Sequence, residues 1–499
     1  MRTTTTKLLA LGTAAALGLA ACGGGDEEST VAVSGEARPV QQEAAAPEEQ
    51  EPATEGTQVQ STVDDAASTL RADLTRQLQE HVHLTGLAVH GIMAGGEEDP
   101  AAQGAIGALD ANAVALGEVI GAVPGADDTD AFIEAWRAHL DAYVAYATAR
   151  VEEDDAAAEE ATGTLEELLQ PMADFFEQIS DEELVADELY GELETHVTMV
   201  SEAIDAMVAK DAEASDLLHE AALHMDVVAG DLAAGLVAAH PDELAGDPMS
   251  VPAETRATLT SALVEHTYLS MLAASAAAEA EGAADDPAVQ AAVTTLDGGA
   301  DSLANTLSGA NGNEGREAFL DLWRPFLTAI GDYAAATARG DDAAAGEARA
   351  TIDAAPAALA ELLQGSTAGN APADLEGLLG THVANLTAVI DAVIADDPAA
   401  ATQARAAAEH ASAIATGLAG AMVAADAGTG EGETGTDGAA TAGEDAEGLN
   451  ADPSTAAPDQ SAESSSEAGS VSATDAGAST DDAGPGAEAG SEGDVDSQG

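Results

Sequence analysis

The strongest constraint on this chain is that it is written twice. Glu80-His81 returns as Glu265-His266, and the same residues recur around it in the same order. Arg71 pairs with Arg256 (185 residues apart), Trp136 with Trp323 (187), Thr195-His196-Val197 with Thr381-His382-Val383 (186), and His224 with His410 (186). Leu74/Leu259, Leu84/Leu269, Phe132/Phe319 and Tyr146/Tyr333 keep the same register. A drift of one or two residues over so long a span is what short loop insertions produce while helices stay in phase. The sequence therefore predicts two homologous modules, 62–247 and 248–425, with Gly246-Asp247-Pro248 and Pro252 marking the joint.

Within each copy the apolar residues recur at helical spacing. Leu74, Leu78, His81, Thr85, Ala88 and Ile92 step by four and three along one stripe. Breakers such as Gly95-Gly96, Pro124-Gly125, Ser180-Asp181 and Asp285-Asp286-Pro287 separate the stripes. No stretch alternates as a half-buried strand does. The first copy reads as helices near 65–94, 101–122, 129–151, 155–179, 181–209 and 212–239. The fold class is all-α: two tandem helical-bundle modules of about six antiparallel helices each. A finer similarity between the Tyr333 and Val389 segments, each a helix, an acidic turn and an Ala-rich helix, suggests helical hairpins as the smaller unit.

Composition narrows the function classes. The chain has 92 acidic and 14 basic residues, a formal charge of −78, which excludes nucleic acid as a partner because phosphate binding needs Lys/Arg clusters. Self-repulsion of that size is costly at low ionic strength and points to adaptation to high salt. Aromatic residues are 2% of the chain, so the cores must be built from Ala, Leu, Val and Met, which suits close helix packing. The one cysteine, Cys22, excludes disulfides, thiolate metal sites and covalent haem attachment.

Cys22 sits where a lipid anchor would. A basic start (Arg2, Lys7), an apolar run from Leu8 to Leu19 and then Leu19-Ala20-Ala21-Cys22 resemble the signal peptide and lipobox of bacterial lipoproteins. That resemblance implies cleavage before Cys22, diacylation of its thiol, and a protein held on the membrane facing outside the cytoplasm. Residues 23–61 are rich in Gly, Glu, Pro and Gln and read as a disordered tether. Residues 426–499, without a Lys, Arg or aromatic residue, read as a disordered acidic tail.

The candidate chemistry lies in the histidines. His81, His196 and His224 in the first copy, and His266, His382 and His410 in the second, all fall on apolar stripes. Three imidazoles converging on an open position make a site for Zn²⁺ or Cu²⁺, with Glu80 and Glu265 as fourth ligands or as acceptors that fix a tautomer. The alternative is that each ring is a core residue bonded to a carbonyl or carboxylate. His83, His90, His139 and His219 are replaced in the second copy by Tyr268, Ser275, Phe326 and Arg405. The first copy is thus the better metal candidate, while the Phe326 counterpart makes His139 read as packing. A carboxylate-bridged di-iron bundle needs a second Glu-x-x-His, which does not occur. There is no phosphate-binding Gly-rich loop, no Gly-x-Ser-x-Gly and no His-Glu-x-x-His.

Glu80-His81, Trp136-Arg137-Ala138-His139, Thr195-His196-Val197 and His224-Met225 resemble the motifs of an all-helical repeat domain of bacterial secreted and envelope proteins. The second copy carries them as Glu265-His266, Trp323, Thr381-His382-Val383 and His410. Such domains sometimes accompany, or take their name from, copper amine oxidase-type domains. The Asn-Tyr-Asp/Glu around a cofactor tyrosine is missing: none of Tyr143, Tyr146, Tyr190, Tyr268 and Tyr333 follows an Asn. The resemblance therefore implies a fold and an envelope location, not an oxidase. The expected function is that of a non-enzymatic binding or scaffold module of the envelope, its partner an envelope protein or a metal ion. The alternative is Cu or Zn handling through the inward histidines.

Overall fold

The computed structural model describes residues 62–126, 128–308 and 312–430. The proposed signal segment, the tether and residues 431–499 of the acidic tail lie outside the described residues. Among the described residues the chain is all-α, with no strand. Twelve helices follow one another: α1 (Ala66–Gly95), α2 (Pro100–Gly121), α3 (Thr129–Val151), α4 (Asp155–Ile179), α5 (Ala186–Ala209), α6 (Ala214–Ala239), α7 (Val251–Glu279), α8 (Pro287–Leu307), α9 (Gly312–Ala338), α10 (Asp342–Ser366), α11 (Leu375–Ile394) and α12 (Ala400–Gly430). Two boundaries differ from expectation. Asp181 and Glu182 take positive φ (49° and 67°), which no helix accommodates, so α5 starts at Ala186 rather than 181. At the other end, α12 runs to Gly430, past the expected start of the tail at 426.

The surplus of acid has a local use. Asp65, Asp99, Asp154, Asp286 and Asp341 each accept a backbone N–H at a helix N-terminus, and Pro100 and Pro287 occupy the first turns they cap. A carboxylate there satisfies an orphan donor and sits at the positive end of the helix dipole. Small residues then let the helices come close. At Gly91 an added Cβ would lie 2.5 Å from the backbone N of Ala102, and at Gly104 it would lie 2.1 Å from the carbonyl of Pro398.

Two helices organise the packing. α1 is enclosed by α2, α3, α5, α6 and α7, while α7 is enclosed by α8, α9, α11, α12 and α1. α4 and α10 lie outside, against their chain neighbours. Packed on every side, α1 buries almost everything from Leu74 to Ile92, including Gln77, Gln79, Glu80, His81, His83 and Thr85. The stripe seen in the sequence is only one of its buried faces. A polar group at such a position must find a partner, because leaving it unpaired costs about 1–3 kcal/mol.

The first six helices and the last six meet through reciprocal contacts. α1 packs on α7, α2 on α12 and α6 on α8, all inside one compact unit with a continuous core. Arg71 Nη1 donates to the carbonyl of Pro248 (2.6 Å), and Arg256 Nη1 to the carbonyl of Val63 (3.0 Å). Each arginine thus holds the start of the opposite half. α2, α6 and α11 are long and apolar enough to cross a membrane by length and composition alone.

Candidate metal centre

Three histidines from three helices meet beside α1. His81 comes from α1, His139 from α3 and His196 from α5; all three are buried, and one nitrogen from each lies within 4.8 Å of the others. His81 Nε2 is 3.1 Å from His196 Nε2. The ring centroids are 5.0 Å (His81–His196), 5.9 Å (His139–His196) and 6.2 Å (His81–His139) apart. Nitrogens bound at about 2.0–2.1 Å to one tetrahedral ion stand roughly 3.4 Å from each other. His81 and His196 are already near that spacing, and a nitrogen of His139 lies within 4.8 Å of both.

The surroundings are dry and apolar. A cavity of about 20 Å³ is lined by Leu74, Leu116, Trp136, Met172 and Met225 together with His139 and His196. That is room for one water or one ion. Burial drives the imidazoles towards their neutral, ligating form: His81 and His139 are pushed down to about 3, and His196 lies well below its ordinary value. For His81 and His196 the neighbouring histidines add to that depression. His81 Nδ1, His196 Nδ1 and both nitrogens of His139 have no protein hydrogen-bond partner, nor do Trp136 Nε1 and Tyr143 Oη beside them. Unpartnered buried polar atoms thus gather around the three histidines, as they also do at His83, His266 and His382.

The predicted site residues divide three ways. His81 and His196 are brought together. His224 is not the third member: its Nε2 bonds the Glu192 carbonyl at 3.1 Å. His410 makes the same bond to the Leu378 carbonyl at 2.9 Å, 186 residues on. These two rings tie the last helix of each half to the helix before it, a role helical periodicity cannot distinguish from ligation. In the second half His266 and His382 face each other with centroids 5.9 Å apart, but Phe326 stands where His139 would be, 5.7 Å from His266. No triad forms there among the described residues.

Glu80 and Glu265 also do something other than expected. Glu80 is fully buried and accepts from Asn112 Nδ2 (2.9 Å), Tyr268 Oη (2.8 Å) and Arg405 Nε (3.0 Å). Glu265 accepts from His219 Nδ1. Arg405 and His219 are 186 residues apart, so each glutamate reaches across to the same position of the opposite half. The carboxylates lock the halves together and leave the histidines to the other side of the helix. His139, read from the sequence as packing, is buried and is the third member of the cluster. The signal was available as the Trp-x-x-His spacing, which puts His139 one helical turn after Trp136.

No family model, no curated protein and no solved structure matches this chain.

Proposed function

We propose that this chain is a lipid-anchored, extracytoplasmic protein that binds one transition-metal ion at His81, His139 and His196 without catalysing a reaction. The observation that carries the reading is the buried convergence of three neutral imidazoles, one nitrogen of each within 4.8 Å of the others, with His139 and His196 also bordering a small apolar cavity. The anchor rests on the lipobox-like Leu19-Ala20-Ala21-Cys22 and the envelope location on the motif resemblance, both sequence arguments. A copper or zinc ion would be held by the imidazole nitrogens, with their outer N–H groups aimed into the bundle. Sealed from water by leucines, the site suits storage or delivery more than turnover. The two halves read as copies of one six-helix unit. Two exchanged pairings, Arg71–Pro248 with Arg256–Val63 and Glu80–Arg405 with Glu265–His219, support this, as do the matching His224 and His410 bonds within each half.

A second reading has its own observation. The 3.1 Å contact between His81 and His196 is also a good hydrogen bond between neutral rings, as a scaffold core would use. The two readings part on metal content. Untagged protein is loaded with Zn²⁺ or copper both directly and during refolding, since the cavity is enclosed, and then desalted and analysed for metal. The metal reading predicts one ion per chain and none in His139→Phe, a substitution that copies the residue the second half carries at that position. Metal-free protein under both loading conditions would leave the scaffold reading in place.

A further inference from the structure

Resting on that reading, we infer that the ion the centre selects is monovalent copper rather than a divalent cation. The reason is charge. Three imidazoles can hold Zn²⁺ when a water completes the site, but they leave both charges of a dication uncompensated. Here the cavity is lined by neutral imidazoles, leucines, Trp136 and two thioethers, and no carboxylate reaches it.

The nearby buried acids are already committed. Glu80 is held by Arg405, Tyr268 and Asn112, Glu265 by His219, and Asp226 accepts from Ser261 through Oδ2 alone; none of the three lines the cavity. An ion bound among His81, His139 and His196 therefore keeps its full charge in a low-dielectric setting. The desolvation cost of an ion grows with the square of its charge, so a dication of similar size is disfavoured about fourfold over a monocation.

Donor chemistry points the same way. Met172 and Met225 are both fully enclosed and both border the cavity. Soft thioether donors next to imidazole select Cu(I) among the common first-row ions. Space agrees as well. A zinc site with three protein ligands keeps a water in its fourth position. The cavity beside His139 and His196 has room for about one water. Cu(I), satisfied by two or three ligands, needs no fourth.

The test is anaerobic competition at pH 7.5 on the full chain. Cu(I) is supplied as its acetonitrile complex against a chromophoric Cu(I) chelator, and Zn²⁺ is titrated separately against a zinc indicator. The expected result is one Cu(I) per chain, held at least 100-fold more tightly than Zn²⁺, and lost in His139→Phe. The double variant Met172→Leu/Met225→Leu keeps core volume and is expected to weaken Cu(I) at least tenfold while leaving the fold intact by circular dichroism. Zinc bound as tightly as Cu(I), with both lost in His139→Phe, would overturn the selectivity while leaving a metal centre. Binding of neither metal would overturn the centre itself. Cu(I) affinity unchanged in the methionine variant would remove the thioethers from the account.

Discussion

Acidification from pH 7.5 to 5.5 is expected to strip the metal-free protein of much of its stability. Burial, the first cause in each case, pushes His81, His83, His139 and His266 down to about 3, His382 to about 4, and His196 well below its ordinary value. The unfolded chain binds protons at these six residues as the pH falls through 6.5, and the folded chain does not. Their contribution is therefore fully present above pH 6.5 and is lost progressively as the pH falls towards 3–4. One pH unit below 6.5, each costs roughly 1.4 kcal/mol, or about 8 kcal/mol for the six.

Groups whose pKa folding raises run the other way, Asp73, lifted by burial, among them. Burial raises Asp226 to about 7; its contribution is present at low pH and lost as the pH rises through 7, so acidification returns roughly 2 kcal/mol. His219, which burial lowers but the hydrogen bond and charge of Glu265 raise further, acts in the same direction as Asp226. The six histidines less Asp226 leave a loss of about 6 kcal/mol, which His219 reduces further, comparable to the whole stability of many domains at ~5–15 kcal/mol. The assay is urea unfolding followed by circular dichroism, with a chelator present and in about 1 M NaCl, where screening to ~3 Å quiets the surface carboxylates. Coincident transitions at the two pH values, with equal slopes, would show that these imidazoles are not buried in neutral form.

Three further outcomes follow from named contacts. Glu80→Ala leaves Arg405 and Tyr268 without their buried acceptor and is expected to cost about 3 kcal/mol; a loss under ~1 kcal/mol in urea unfolding would contradict the cross-half lock. Phe326→His should complete a second triad with His266 and His382 and raise the metal content towards two ions per chain, whereas unchanged stoichiometry would mean that the imidazoles alone do not make the site. With a formal charge of −78, the melting temperature should climb from low to molar NaCl, and a midpoint indifferent to salt would refute adaptation to high ionic strength.

Most helix boundaries were legible because local chemistry sets them: an aspartate cap, a proline in the first turn, a glycine after the last. His81 and His196 were legible as inward positions for the same reason. What periodicity could not supply was direction around a helix buried on all sides. On α1, Glu80 and His81 are adjacent, yet one turns to Tyr268 and Arg405 in the opposite half and the other to Trp136 and His196 in its own. Comparing the copies gave too little at His139: it is buried as Phe326 is, but the replacement also coincides with a triad in one half and none in the other among the described residues. His224 and His410 misled in the opposite sense. They recur because each caps the same carbonyl, which is a reason of architecture rather than of ligation.

The central claim is that His81, His139 and His196 together hold one ion. X-ray absorption at the edge of the bound metal in loaded, desalted protein tests it most directly. The account predicts a first shell of imidazole nitrogens at about 2.0 Å, with the imidazole outer-shell pattern, at one ion per chain and absent from His139→Phe. A shell dominated by carboxylate or water oxygen, or a spectrum unchanged in His139→Phe, would place the metal on the acidic surface and contradict it.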